Sequence, residues 1–436
     1  MAKPTETIFT NPLLRWIDER FPLSSLIKDH ATEYYASKNF NIWYLFGVLS
    51  MVVLVIMFLT GFFLTMNYKP SADDAFNSVE YIMRSVENGW LIRYMHSTGA
   101  SFFFIVIYLH MFRAMLYGSY KKPRELIWVL GMLLYFCLMA EAFFGYLLPW
   151  GNMSYWAGQV IVNLFGYIPF IGESLTEWIR GDYFISDITL NRFFAFHVIF
   201  LPLAILGLVA AHILALHHVG SNNPDGIEIK KHLNESGKPI DGVAFHPFHT
   251  SKDLVGITVF LILYFAAVFF APEMGGYFLE VDNFEPADPL KTPEHIVPSW
   301  YFTPYYAILR AVPNAALGAL FLVLAVLLFV FLPWLDKCDV KSIRYRGWQY
   351  KVALTMFATS FIALGYLGLQ PATGIYVALA RFFTITYFAF FLLMPFYTKY
   401  EKTKIVPQRV IYKKKDSWQI FPSLQDLWIL KNILRI

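Results

Sequence analysis

The chain has 436 residues, of which 57% are apolar, 19% aromatic and 15% charged, with a mean hydropathy of +0.48. Soluble globular domains carry about 25% charged and roughly 45–50% apolar residues, so this composition excludes an ordinary soluble enzyme and reads as a polytopic membrane protein. The net charge of +4 comes from basic residues clustered between apolar blocks, a topogenic pattern that implies no nucleic-acid partner.

The first 40 residues mix Arg15, Asp18, Glu19, Arg20 and Lys28 and lack the apolar core and small-residue cleavage site of a removable signal peptide, so the first span is expected to direct insertion. Eight apolar stretches are long enough to span a bilayer, at residues 41–66, 93–116, 127–150, 193–218, 254–271, 315–334, 350–369 and 376–397. An even number of crossings puts both termini on one side. The Lys121, Lys122 and Arg124 loop falls on that side, with Lys230, Lys231, Lys238 and Lys252, the 337–346 loop and the tail from Lys413 to Lys415. The opposite loops hold Lys69, Arg84, Arg180, Lys291 and Arg310, so the positive-inside rule places the termini in the cytoplasm. Connections 151–189 and 272–314 are long for turns, and long ordered connections are usually functional.

The second stretch carries His96 and His110, and the fourth carries His197 and His212. Fourteen residues of α-helix rise about 21 Å and return to within about 40° of the same face, so one helix offers imidazoles at two depths. The offset of 15 in the fourth stretch turns about 60°, and Pro202 lies where a kink or bulge would absorb the extra residue. The two helices run parallel, which pairs His96 with His197 and His110 with His212. Two imidazoles ligate iron well, and filling both axial positions of a haem suits it to electron transfer. Cys137 and Cys338 form no covalent haem-attachment motif, so such haems would be non-covalent. A lone membrane histidine could equally satisfy a contact between helices; two matched pairs favour ligation.

Gly47 and Gly61 in the first stretch, and Gly131 and Gly145 in the third, repeat the offset of 14 and allow close approach by a flat macrocycle. Such glycines also occur at plain helix contacts. Arg93, Arg113 and Arg192 stand near the histidines as partners for haem propionates, or snorkel to the interface.

The stretches RYMHSTGAS around His96, GYLLPWGNMSYW from Gly145, NRFFAFH ending at His197, HHVGSNNP from His217 and HIVPSWYFTPYYAILRAVP from His295 resemble one family over nearly the whole chain. It is the cytochrome b subunit of the cytochrome bc1 complex, a ubiquinol:cytochrome c oxidoreductase. The resemblance implies an all-α membrane protein of eight helices, with a di-haem four-helix bundle followed by a C-terminal group of four. The corresponding parts are residues 1–220, a cytoplasmic loop at 221–251 and a C-terminal part at 252–436. It implies two haem b groups, a low-potential one on His96 and His197 and a high-potential one on His110 and His212. It further implies quinol oxidation on the positive side, quinone reduction on the negative side and proton translocation. The implied partners are a Rieske iron-sulfur protein and cytochrome c1 in a dimeric complex, with ubiquinone as the quinone. The long basic tail after Tyr397 favours a bacterial inner membrane over a mitochondrion.

For quinone reduction the family pattern carries over to His217, Ser221, Asn222, Lys252 and Asp253, which without it read as a turn and interfacial polar residues. For quinol oxidation it carries over to Tyr146, Trp300, Tyr301 and Tyr306, but the family's Pro-Glu-Trp-Tyr is here Pro298-Ser299-Trp300-Tyr301. Serine cannot act as a base near neutral pH, so Glu294 is the expected substitute, unless it is only a loop carboxylate facing water. Glu141 is a further intramembrane carboxyl. Ala157-Gly158 stands where the family commonly has Gly-Ala, which predicts weak binding of strobilurin-type inhibitors. The 15-residue histidine offset resembles the photosynthetic b6f relative, whose chain is commonly split after the fourth helix, whereas this chain is continuous. The competing readings are a di-haem membrane anchor of a dehydrogenase and a non-redox secondary transporter.

Overall fold

A computed structural model describes residues 7–28 and 32–412; Lys413 to Lys415 lie outside them. Seven of its helices are long and apolar enough to cross a membrane: Ile42–Thr65, Gly89–Tyr117, Glu125–Leu147, Asp187–Val219, Phe245–Phe270, Trp348–Leu369 and Gly374–Leu392. They are the first to fifth, seventh and eighth spans of the sequence.

The sixth span is broken. Its helix Ala315–Leu327 gives way to a turn before the short helix Leu332–Leu335. Pro333 at the start of that second piece has no N–H to give and its ring excludes a continuous helix. Carbonyls freed inside a bilayer need donors, and they are supplied: the Trp128 indole N–H reaches Phe329 O at 2.7 Å, and the Tyr387 hydroxyl reaches Ala325 O at 2.8 Å.

The first span packs on the second and the third on the fourth, forming a bundle around the four histidines. The sixth, seventh and eighth spans gather on a short buried helix, Thr303–Ala311, within the 272–314 connection, while the fifth packs on the second and first. Gly368 lets the seventh span meet it closely, since a Cβ there would stand 2.2 Å from Thr303 O. Arg310 donates to the carbonyls of Leu367, Gly368 and Gln370 at 2.7–3.1 Å, satisfying the end of the seventh span. Tyrosine hydroxyls join the two groups, from Tyr108 to Tyr301 O at 2.5 Å and between Tyr135 and Tyr305 at 2.9 Å.

The two long connections are stitched together at one end of the bundle. Asn152 N–H donates to Glu285 O, Ala287 N–H to Trp150 O, and Ser154 N–H to the Asn283 side chain, all at 2.9 Å. The apolar pieces of the first connection form helices Asn152–Leu164 and Gly172–Arg180. At the other end, strand Tyr35–Ser37 pairs antiparallel with Gly242–Ala244. Many of the basic loop residues there are paired internally. Arg346 forks onto Asp336 at 2.7 and 3.1 Å and also holds Glu401, Lys121 reaches Asp336 at 2.9 Å, and Arg124 forks onto Glu228 at 2.6 and 2.8 Å. Burial would raise the Glu228 carboxyl, but Arg124 and Lys341 outweigh it and hold the group at about 2.

Candidate functional site

The histidines meet in the expected pairs. His96 and His197 rings lie with centroids 6.1 Å apart and planes at 85°, and both line a cavity of about 350 Å³ at the end closed by the long connections. His110 and His212 line a second cavity of about 450 Å³ toward the end of the buried ion pairs. Leu54, Phe103, Leu138 and Ile205 line both cavities and form the apolar wall between them.

The extra residue in the fourth span is absorbed at once. Phe196–Phe200, which contains His197, is a π-helical turn, wider by one residue per turn than the α-helix on either side. His212 is thereby returned to the face that His197 occupies.

Each glycine of the two pairs serves one imidazole. A Cβ would stand 3.4 Å from His110 Cε1 at Gly47, 3.2 Å from His96 Cε1 at Gly61, 3.3 Å from His212 Cε1 at Gly131, and 2.4 Å from His197 Cε1 at Gly145. The clearance seats the histidine rings themselves, which the spacing alone did not reveal.

The ring nitrogens away from the pair face fix the tautomers. His197 Nδ1 lies 2.8 Å from Glu141 O, and a carbonyl only accepts, so Nδ1 carries the proton and Nε2 keeps its lone pair. His96 Nδ1 stands 2.9 Å from Thr60 Oγ1, whose own hydroxyl donates to Ile56 O at 2.7 Å, which assigns the same tautomer. The ring centroids, 6.1 Å apart, leave room for two metal–imidazole bonds of about 2 Å each together with the ring radii. The residues fit a metal held by two imidazoles in the way a haem is held.

Arg93 lines the first cavity and Arg113 the second. Arg113 lies 3.5 Å from His110 Nδ1, over the Tyr44 ring, with its buried Nε lacking an acceptor among the described residues. An acidic group arriving there would satisfy it. Arg192 is a correction: it is exposed, lines neither cavity and donates to Trp178 O, because the helix start at Asp187 turns its side chain back onto the preceding connection.

His217, Ser221, Asn222, Lys252 and Asp253 all line the second cavity. Tyr34 stacks on His217 at 4.5 Å and its hydroxyl meets Ser221 Oγ at 3.3 Å. Asn222 donates to Tyr117 O at 2.7 Å, and among the described residues its buried Oδ1 and the buried Lys252 Nζ have no hydrogen-bond partner. His249 was missed from sequence; it lines the same cavity, is 3% exposed and has an unpaired Nε2. Its signal was only its position three residues before Lys252. Unpaired buried donors and acceptors are costly unless a ligand meets them, and here several converge.

Tyr146 and Tyr301 line the first cavity, and Tyr301 stacks on Phe104 at 4.0 Å. Tyr306 does not line it; its hydroxyl holds Ile296 O at 2.8 Å and so shapes the loop. Glu294 is the second correction: it is exposed and lines neither cavity, because the loop carries it outward before Ser299 turns in. Glu280 does not line the cavity itself but stands behind Tyr146, which does, its Oε2 accepting the Tyr146 hydroxyl at 2.9 Å. Burial pushes Glu280 up to about 7, with the Tyr146 hydrogen bond pulling the other way.

A helical membrane bundle with two stacked imidazole pairs, each in its own cavity, defines the class of membrane electron-transfer proteins. Family models agree. Residues 31–220 match Cytochrome b/b6/petB and residues 286–388 match Cytochrome b(C-terminal)/b6/petD. The chain is 59% identical over 405 residues to a cytochrome b of Allochromatium vinosum, covering 91% of this chain and 98% of that one. It is 44% identical to a "Cytochrome b/c1" of Bradyrhizobium diazoefficiens, covering 94% of this chain and 58% of that one. A solved structure titled "Hyperthermophilic respiratory Complex III" superposes with a TM-score of 0.83 at 39% identity, covering 89% of this chain and 99% of that chain. The chain belongs to the cytochrome b family. It is the cytochrome b of a complex III-type quinol oxidoreductase, a multi-pass membrane protein of electron transport, and the family implies haem b.

Proposed function

We propose that this chain works within a quinol:cytochrome c oxidoreductase, oxidising quinol beside the His96–His197 pair and reducing quinone beside the His110–His212 pair, with proton translocation. The observation that carries the reading is the one-to-one seating of four imidazoles on four glycines in two separate cavities. Haem b groups held by these pairs would supply one-electron conduction between the two levels.

Quinol carries two protons that must leave as its electrons do. Glu280, poised near neutrality behind the first cavity, takes one through the Tyr146 hydroxyl, which lines the cavity and donates to it. Tyr301 and Phe104 wall the ring with a flat aromatic pair. At the second cavity His217 and Asp253 deliver protons to the two quinone oxygens, and Lys252 offers a positive charge to the reduced ring. Arg93 and Arg113 neutralise propionates on the two levels.

The basic loops at the second end favour an inner-membrane orientation with both termini in the cytoplasm of a bacterium. The complex III neighbour and the "Cytochrome b/c1" relative favour a complex with other subunits; the partners proposed are a Rieske protein and cytochrome c1 in a dimer, with ubiquinone as the quinone. Reduced-minus-oxidised spectra of the purified complex test the proposal. Two b haems are expected, one lost in His96→Leu or His197→Leu and the other in His110→Leu or His212→Leu. A colourless chain would instead fit a transporter, and copurification without Rieske or c-type subunits would fit a dehydrogenase anchor.

A further inference from the structure

Glu141 lines the first cavity and has no role in the quinol chemistry described above. It lies one helical turn before Gly145, so its backbone and its side chain both face His197. The backbone carbonyl takes the Nδ1 proton at 2.8 Å, while Oε1 stands 3.1 Å from the same nitrogen. Its other oxygen, Oε2, is buried with no hydrogen-bond partner among the described residues. Among the described residues no lysine or arginine lies within ion-pair distance of the carboxyl, and its neighbour there is the neutral His197.

The other histidines differ. His96 Nδ1 meets the Thr60 hydroxyl, and His110 Nδ1 meets the Arg113 guanidinium at 3.5 Å. An acidic side chain therefore backs a ligand at the first level, and a cation backs one at the second.

We propose that Glu141 is a positioning and tuning residue that lowers the reduction potential of the metal group held by His96 and His197. The proposal rests on the haem-ligation reading above. An oxygen lone pair drawn toward Nδ1–H makes the imidazole a stronger electron donor through Nε2, which stabilises the oxidised metal. The effect requires an acceptor oxygen beside Nδ1, which Glu141 places there in addition to its own backbone carbonyl. Arg113 acts in the opposite sense on the second level.

The test is an equilibrium redox titration of both haems in the purified complex, read from their absorbance, in wild type, Glu141→Gln and Glu141→Ala. Glutamine keeps the shape and one acceptor oxygen, so it reports on tuning even where alanine perturbs packing. In Glu141→Ala the ferrous form of the first haem is expected to gain about tenfold over ferric, an upward shift of about 59 mV for one electron. Glu141→Gln should shift it in the same direction by less, and the second haem should stay in place. Two bound haems whose potentials are unchanged in both variants would overturn the role of Glu141 while leaving ligation intact. A wild-type complex without b-haem absorbance would instead overturn the reading beneath it.

Discussion

Gly145 is the tightest of the four seats: a Cβ on it would lie 2.4 Å from His197 Cε1, closer than side chains tolerate, whereas at Gly47 the matching distance to His110 is an ordinary 3.4 Å. The two substitutions should therefore separate. Gly145→Ala drives the His197 ring off its position and should abolish the haem signal of the first pair, with an overpacking cost of about 1–3 kcal/mol. Gly47→Ala should retain both signals. Haem stoichiometry from pyridine haemochrome spectra, together with the thermal midpoint of each variant, checks the contrast.

Glu280 should set the alkaline dependence of quinol oxidation. A base works when deprotonated, so a carboxyl at about 7 makes the rate climb as pH rises through neutrality and level off above it. Glu280→Gln should lower turnover by about 10² and flatten that limb. Tyr146→Phe should keep the limb but shift it, since the hydroxyl that favours the ionised carboxyl is gone. Glu294→Gln should change neither rate nor profile, because its side chain faces away from both cavities. Steady-state rates across pH 5 to 9 in all three variants decide the assignment.

The span count and the histidine pairs were legible in the sequence because both rest on helical geometry, which a hydropathy block and an offset of 14 carry without tertiary information. Other features depend on contacts between distant residues. The break in the sixth span is tolerated because Trp128 and Tyr387, far away in the chain, satisfy its carbonyls. The buried helix Thr303–Ala311 sits in a segment too short and mixed to announce itself. Glu280 and Glu294 lie in one acidic, proline-rich loop, and only the path of that loop brings one of them to Tyr146. Arg192 is adjacent to its expected site in sequence but faces the connection before it.

The Asp336 cluster should govern acid stability. Asp336, Arg346 and Glu401 have fully buried side chains, and Lys121 is nearly so. Burial raises the Asp336 carboxyl, but Arg346 and Lys121 prevail and hold it below its ordinary value. A depressed carboxylate contributes stability above its unfolded pKa and loses it as pH falls through the folded one. The detergent-solubilised complex should thus keep its thermal midpoint through mild acid and lose it only below the usual carboxylate range. Asp336→Asn leaves Arg346 and Lys121 undercompensated and should cost about 3–5 kcal/mol. An Asp336→Asn midpoint equal to wild type across pH 4 to 8 would contradict the account.

The second cavity should be separable from the first. Asp253→Asn and His249→Phe alter groups that face it and touch neither histidine pair in the ring contacts, so haem content should stay whole. Haem reduction by quinol through the second cavity, measured with the first blocked by an inhibitor, should slow about 10-fold or more in Asp253→Asn, the lower range of general-acid effects. Reduction through the first cavity should be unaffected in the same preparation.

The π-helical turn at Phe196–Phe200 makes a prediction that the histidine spacing alone does not. Pro202 lies just beyond it, lacks an N–H and would press its ring on the carbonyl four residues earlier in a plain α-helix. The widened turn relieves that clash and consumes the fifteenth residue. Deleting Ile199 alone restores an offset of 14 but returns the clash, about 3 kcal/mol. Deleting Ile199 together with Pro202→Ala removes both causes, so His197 and His212 should still share a face and both haems should bind. Inserting one alanine after Ile199 adds about 100° of rotation that no further widening absorbs. His212 then leaves the cavity it shares with His110, and the haem signal of that pair should disappear while the first survives. Haem counts in the three variants, set against the wild-type complex, measure whether the wide turn keeps register between the levels.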